Sequence, residues 1–354
     1  MNDHLLGSGY DAAQATLIEA EASHLVPMLP VFHVTRHAEL ADLCDLLVNG
    51  RQRITAVRSV RGLSGIGKTT LAVAASREAS VLDAYPDGVL WANVGPNPTL
   101  HGIQAAWANA LDIGAQLWQV LDLEARAAAL RDRLMLRRCL LVLDDIWDAD
   151  HLRLLDVGGP GCMTLVTTRL PDVAALAGAE RLLGVMYPDQ AASLLERWSG
   201  DNDAPRPIVA EINWRLGYLP LAIKTIGARI RAGKSWRRML GSLDRAGIDL
   251  SDPSLPIDER DRRLYAAFGL TVEVMPTRRQ ARLAQLAQLE GPFTLEAAAR
   301  VWNLTTRDPQ QRDEARAHLQ RLARAALIDR VQRSLFTLHP LVAQYAQSLG
   351  GAAR

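Results

Sequence analysis

The residues with the clearest chemical potential are Gly62-Leu63-Ser64-Gly65-Ile66-Gly67-Lys68-Thr69, three glycines that lead into a lysine and a hydroxyl. An apolar run, Ile54–Val60, precedes them, and helical periodicity follows from Thr69 to Ala79. In that setting Gly62, Gly65 and Gly67 let the backbone turn sharply and bring its N–H groups, Ile66 among them, against phosphate oxygens. The helix opening near Lys68 adds its free N–H groups and its dipole. Lys68 is then placed to reach the β and γ phosphates of a nucleoside triphosphate, Thr69 to ligate Mg²⁺, and Thr70 to touch the α-phosphate. A glycine-rich turn that merely precedes a lysine is the competing reading, and the strand before and helix after argue against it. Arg58 and Arg61 are unexpected in a strand that should be buried; a place near its edge or end accounts for them.

A second constellation is Leu140-Leu141-Val142-Leu143-Asp144-Asp145, an apolar strand that ends in two acids. The carboxyl ends of parallel strands face the ligand crevice, so Asp144 is expected to bind Mg²⁺ through water, and Asp145 to orient or deprotonate an attacking water. Two aspartates that cap the turn at Ile146-Trp147 are the alternative. The next strand ends in Thr167-Thr168-Arg169, where a cation could touch the γ-phosphate and distinguish ATP from ADP. An exposed loop arginine remains the alternative there.

These motifs need elements to hold them. Ile54–Val60, Val89–Val94, Leu140–Leu143 and Met163–Thr167 read as strands, with helical patterns at Thr69–Ala79, Gly102–Leu111 and Leu123–Leu136. Such alternation predicts an α/β fold with a parallel sheet covered on both faces. Beyond about residue 185 the pattern is helical at Asp189–Trp198, Pro207–Leu216 and Leu219–Ala232, then polar over 249–258. From Arg260 onward come more helices, two short strands (Leu327–Val331 and Leu335–Leu338) and a last helix, Leu341–Leu349, an order that suggests a winged helix. The expected division is an arm or linker over 1–29, a P-loop domain over 30–185, a helical domain over 186–255 and a winged-helix domain over 256–354.

The net charge of +1 supplies no global field for nucleic acid or an anionic membrane, so such binding would need a local patch. Cys44, Cys139 and Cys162 are too few and too scattered for a disulfide framework or a zinc site and read as reduced thiols in a cytoplasmic protein. No apolar run is long enough for a bilayer, and Met1–Glu21 lacks the order of a signal peptide. No repeat has a solenoid or propeller period.

The motifs, taken together, resemble the NB-ARC family of signal-transducing NTPases, which includes the apoptotic protease-activating factor, plant disease-resistance proteins and bacterial relatives. The resemblance rests on Gly62–Thr70, Leu140–Asp148, Thr167–Arg169, Leu216-Gly217-Tyr218-Leu219-Pro220-Leu221-Ala222-Ile223, Phe32–Arg36 and Leu338-His339-Pro340. It implies a slow ATPase that switches between ADP-bound closed and ATP-bound open forms and oligomerises with itself, with sensor and effector partners unknown. It further implies that Val34 and Arg36 hold adenine, that Pro220 packs on the base or sugar, that Arg169 senses the γ-phosphate, and that His339 reaches the β-phosphate of ADP. Local roles compete for each: an apolar anchor for Val34, a solvated linker arginine for Arg36, a helix-start proline for Pro220 and a helix-start histidine for His339.

Pro340 stands where the family has an acid, which puts that acid's part in the closed state in doubt, and Ser64 replaces a frequent glycine. The arm is too short for an effector fold and no sensor repeats follow, so the chain is expected to be a fragment or a minimal core. Its Ala/Arg/Leu-rich composition points to a bacterial source. A transcription regulator that reads DNA through Arg312, Arg316, Arg321, Arg324 and Arg330 is the rival reading, although Asp313, Glu314 and Asp329 dilute that charge.

Overall fold

The computed structural model describes residues 26–114, 118, 121–201, 203–252, 255–289, 291–332 and 334–351. The expectation for Met1–Glu21, and most of the 1–29 arm, lies outside these. The described chain forms two compact units, one of Val26–Pro27, Ala38–Arg58 and Lys68–Leu182, the other of Met28–His37, Ser59–Gly67 and Leu183 onward.

The first unit is built on a five-stranded sheet. Its strands are β1 (Ile54–Ser59), β2 (Val89–Gly95), β3 (Leu140–Ile146), β4 (Met163–Thr168) and β5 (Ala179–Leu183), in the order β2-β3-β4-β1-β5. The pairings β1–β4, β2–β3 and β3–β4 are parallel. Parallel strands need crossovers, which α1 (His37–Asn49), α2 (Lys68–Ala75), α3 (Ala79–Ala84), α4 (Leu100–Ala110), α5 (Leu123–Leu134), α6 (Ala149–Leu155) and α7 (Pro171–Ala174) line or supply. Leu141 and Leu143 share one sheet face with Trp107, Leu130 and Leu134 in a single buried cluster. The Trp107 indole satisfies its N–H on the Trp91 carbonyl at 3.1 Å.

Sequence and structure differ here in a few places. The helix expected over Thr69–Ala79 ends at Ala75 and resumes as α3. β1 stops at Ser59, so Arg61 lies past it in a 3-10 turn, Val60–Gly62. Arg58 forms an ion pair with Glu180 of β5, so the strand carries a charge without burying it alone. β5 has no counterpart among the expected strands: in its Ala-Glu-Arg-Leu-Leu two of five residues are exposed at the sheet edge, with no apolar run to mark it.

The second unit is mainly helical: α8 (Pro188–Ser199), α9 (Arg206–Arg215), α10 (Pro220–Arg231), α11 (Trp236–Arg245), α12 (Ile257–Val272), α13 (Thr277–Leu286), α14 (Leu295–Val301), α15 (Pro309–Arg324) and α16 (Pro340–Gly351). Close packing of α8 on α10 requires a glycine, because a Cβ at Gly227 would stand 2.5 Å from that of Trp198. Strands β6 (Phe293–Thr294), β7 (Asp329–Arg330) and β8 (Leu335–Thr337) form a small antiparallel sheet in the order β6-β8-β7. With α14 and α15 before the β7–β8 hairpin, this part is a winged helix. β7 is shorter than the predicted Leu327–Val331, because Leu327 and Ile328 are buried in the turn that precedes it. The segment Met28–His37 packs in this unit, with Phe32 edge-on to Trp198 at 5.1 Å and under the Arg231 guanidinium at 4.4 Å.

Candidate functional site

The phosphate-loop glycines have the backbone expected of them: φ is +68° at Gly62, +70° at Gly65 and +96° at Gly67. The loop is braced rather than free. Leu221 N–H, the first amide available after Pro220, donates to the Gly65 carbonyl at 3.2 Å. Pro220 has no N–H and occupies the first position of α10, where none is needed. A Cβ at Gly65 would lie 2.5 Å from that of Leu221.

Arg36 also braces the loop. Only 8% exposed, it is not a solvated arginine. Its guanidinium donates to the Ile66 carbonyl at 3.3 Å, to Gly184 at 3.0 Å and to Val185 at 3.2 Å. Val34 is half-buried nearby in sequence. His339 accepts the Leu341 N–H on Nδ1 at 3.2 Å, which is the local helix-start role and fixes the neutral ring as the Nε2–H tautomer.

In the sheet unit, Lys68 begins α2 and is buried, 8% exposed. Burial, reinforced by the charge of Arg169, pulls its ammonium down to about 8, against the opposing pull of Asp145 and Asp144. Thr69 Oγ1 lies 2.9 Å from both oxygens of Asp144. Asp144 is 3% exposed and also accepts the Thr167 hydroxyl at 2.6 Å. Burial pushes its carboxyl up to about 6, and the Thr167 hydrogen bond works in the other direction. The Thr69 hydroxyl and the Asp144 carboxylate are adjacent hard oxygen donors of the kind Mg²⁺ takes, so this pair fits that ion.

Asp145 is held differently. The β3–β4 register shifts between Leu143 and Ile146, and Asp145 takes φ +60°, a left-handed backbone that aspartate tolerates better than most residues. Its N–H donates to Thr167 Oγ1 at 2.8 Å, and its Oδ2 accepts the Trp147 indole N–H at 3.0 Å. Arg169 Nε stands 3.9 Å from Oδ1, and its guanidinium lies over the Trp147 ring at 4.9 Å. The side-chain bonds of the two acids thus run to Thr69, Thr167 and Trp147, while the helix that follows, α6, is capped by Asp148 through the Asp150 N–H.

Within the sheet unit, then, Lys68, Thr69, Asp144, Asp145 and Arg169 come together. Two contributors had been passed over. Thr167 serves both acids, and Trp147 joins Asp145 to Arg169. Both residues stand inside motifs legible in the sequence, but neither has a side chain whose type alone announces a partner.

A sheet whose β1 runs into this loop, with a buried acid at the end of β3, defines a P-loop NTPase. Residues 36–204 match the NB-ARC domain family, and the chain carries an NB-ARC P-loop domain. It is 30% identical over 332 residues to the regulatory protein AfsR of Streptomyces griseus, an alignment that covers 88% of this chain and 32% of the relative. It is 28% identical over 215 residues to the disease resistance protein RFL1 of Arabidopsis thaliana, covering 55% and 24%. The chain thus spans about a third or less of the length of these relatives. Among solved structures, a signal-transduction ATPase with a tetratricopeptide-repeat sensor from Pyrococcus horikoshii shares the fold, with a TM-score of 0.58 at 14% identity over 92% of this chain and 44% of that one. Among the described residues no helix is long and apolar enough to cross a membrane.

Proposed function

We propose that the chain is an ATP/ADP-driven conformational switch with slow ATP hydrolysis. The observation that supports it best is the division of labour between two adjacent acids: Asp144 buried against Thr69, Asp145 turned out towards Trp147 and Arg169. Lys68 and the loop N–H groups of Gly65, Ile66 and Gly67 neutralise phosphate charge, and Thr70 contacts the α-phosphate. Thr69 and Asp144 hold Mg²⁺, which supplies charge neutralisation of the phosphates when bound. Asp145 orients or deprotonates the attacking water, and Arg169 engages the γ-phosphate.

Adenine recognition falls to the Val34 backbone and to Pro220. Arg36, whose guanidinium is committed to three carbonyls, shapes that region by bracing it. His339 donates from Nε2–H to the β-phosphate of ADP, in keeping with the tautomer its Nδ1 bond imposes. A ligand shifts the two forms only by its differential affinity for them, so Arg169 and His339 supply the difference between ATP and ADP. Opening of the parts at 186–255 and 256–354 then exposes surfaces for self-association, in the cytoplasm, under sensors and effectors still to be identified.

The test is to denature the purified protein and identify the released nucleotide. Near-stoichiometric ADP is expected from the wild type and none from Lys68→Ala; nucleotide retained by that variant would sink the reading. One observation favours DNA as an additional partner: the outer face of α15 exposes Arg312, Arg316, Arg321 and Arg324, with Arg330 exposed in the wing. Asp313 lies 3.9 Å from Arg316 on that face, while Glu314 is occupied by Arg278 and Arg282. Binding of this kind would weaken steeply with added salt.

A further inference from the structure

Arg169, Trp147 and Asp145 form a closed triangle. The guanidinium lies over the indole ring at 4.9 Å, the indole N–H reaches Asp145 Oδ2 at 3.0 Å, and Asp145 Oδ1 is 3.9 Å from Arg169 Nε. The carboxylate thus divides its two oxygens between the other members. Its own position is fixed from behind, because the left-handed turn at Asp145 is pinned by the bond from its N–H to Thr167. Arg169 and Asp145 are each only about one-seventh exposed, so the triangle is an ordered, largely desolvated arrangement, where a cation–π contact is stronger than at an open surface.

From this geometry we infer that Trp147 is a positioning residue that sets triphosphate-versus-diphosphate discrimination, by giving Arg169 a resting place that competes with the terminal phosphate. The inference rests on the reading that Arg169 senses the γ-phosphate. Without a terminal phosphate, two cations, Lys68 and Arg169, bear on one another, and the indole face and Asp145 draw the guanidinium aside. With a terminal phosphate, the guanidinium is drawn the other way and the stack is given up. Part of the phosphate's attraction is therefore spent on leaving Trp147, so the indole lowers the preference for triphosphate that Arg169 alone would confer.

The experiment measures affinity for ADP and for an imido-bridged, non-hydrolysable ATP analogue with Mg²⁺, by competition against a fluorescent ADP, in wild type, W147F, W147A, R169A and the W147A/R169A double variant. Removing the ring should raise the triphosphate-to-diphosphate affinity ratio by about three- to tenfold, the range of a partly desolvated cation–π contact. W147F, which keeps a weaker π face, should give a smaller rise. R169A should lose most of the preference, and the double variant should match R169A, because the ring's effect on the affinity ratio runs through that guanidinium. A ratio unchanged in W147A, or raised equally in the R169A background, would overturn the inference while leaving the switch intact. Should W147A fail to fold, W147F decides, and an unchanged ratio there overturns it as well. A wild-type ratio that R169A leaves unaltered removes the sensor reading itself, and no binding of either nucleotide by the wild type removes the switch and this inference together.

Discussion

Asp144 and Asp145 are chain neighbours with opposite surroundings, and a one-residue irregularity in β3 separates them. Had the strand continued in regular register, one carboxylate would have pointed into the packed sheet face, a costly burial without a partner. The left-handed turn at Asp145 instead brings both to the functional end of the strand. A different buried side chain, His318 of α15, gives a prediction at the same scale. Burial, helped by the nearby Arg282, Arg279 and Arg321, lowers its imidazole to about 4 despite Glu314 at 3.8 Å, and Trp302 packs edge-on at 5.8 Å. The folded value lies below the unfolded one of 6.5, so the unfolded chain binds the proton first. Stability is therefore full above pH 6.5 and is lost as pH falls towards 4, by at most ~1.4 kcal/mol per pH unit. Thermal melts from pH 7 to 4.5 should show this loss as the difference between wild type and His318→Leu, because Asp144, raised to about 6, titrates in the same window with the opposite sign in both; the Glu314 pairs act below that window, since their carboxyl is held under its ordinary value. A variant that keeps the full slope would assign it elsewhere.

At the scale of elements, the phosphate loop is held in shape by the start of α10. Gly65→Ala would incur both the left-handed backbone cost, about 1–3 kcal/mol, and a collision with the Leu221 Cβ. Gly67→Ala is the matched control, because its φ of +96° carries the backbone cost while its Cβ would meet nothing within 4 Å. Denaturation midpoints should therefore fall further for Gly65→Ala, and equal losses would mean that Leu221 yields without cost. The loop, its strand and its helix were legible in the sequence because glycine spacing and apolar runs encode local geometry. The brace from Leu221 was not, since it joins residues far apart in the chain through backbone atoms that every residue possesses. The same limit explains Arg36: its position was flagged, but its three carbonyl partners depend on where residues 184 and 185 come to lie.

For the whole molecule, the order of helices and strands followed from periodicity, whereas the half-exposed edge strand β5 did not announce itself. Lys224 of α10 and Asp329 of β7, 2.6 Å apart, tie the helical part of the second unit to its wing, a pairing that no local pattern encodes. The strand order β2-β3-β4-β1-β5 has a further consequence, in the time domain of synthesis. β1 lies between β4 and β5, and Ile54 first meets its partner Thr164 roughly a hundred residues after it is made. Until then the strand that leads into the phosphate loop has two open, apolar edges, the condition under which nascent chains aggregate or recruit chaperones. A chain ended at Gly158 should accordingly be found in the insoluble fraction, and one ended just past β5, at Gly184, should be markedly more soluble. Equal solubility of the two would mean that β1 is sheltered before β4 emerges from the ribosome.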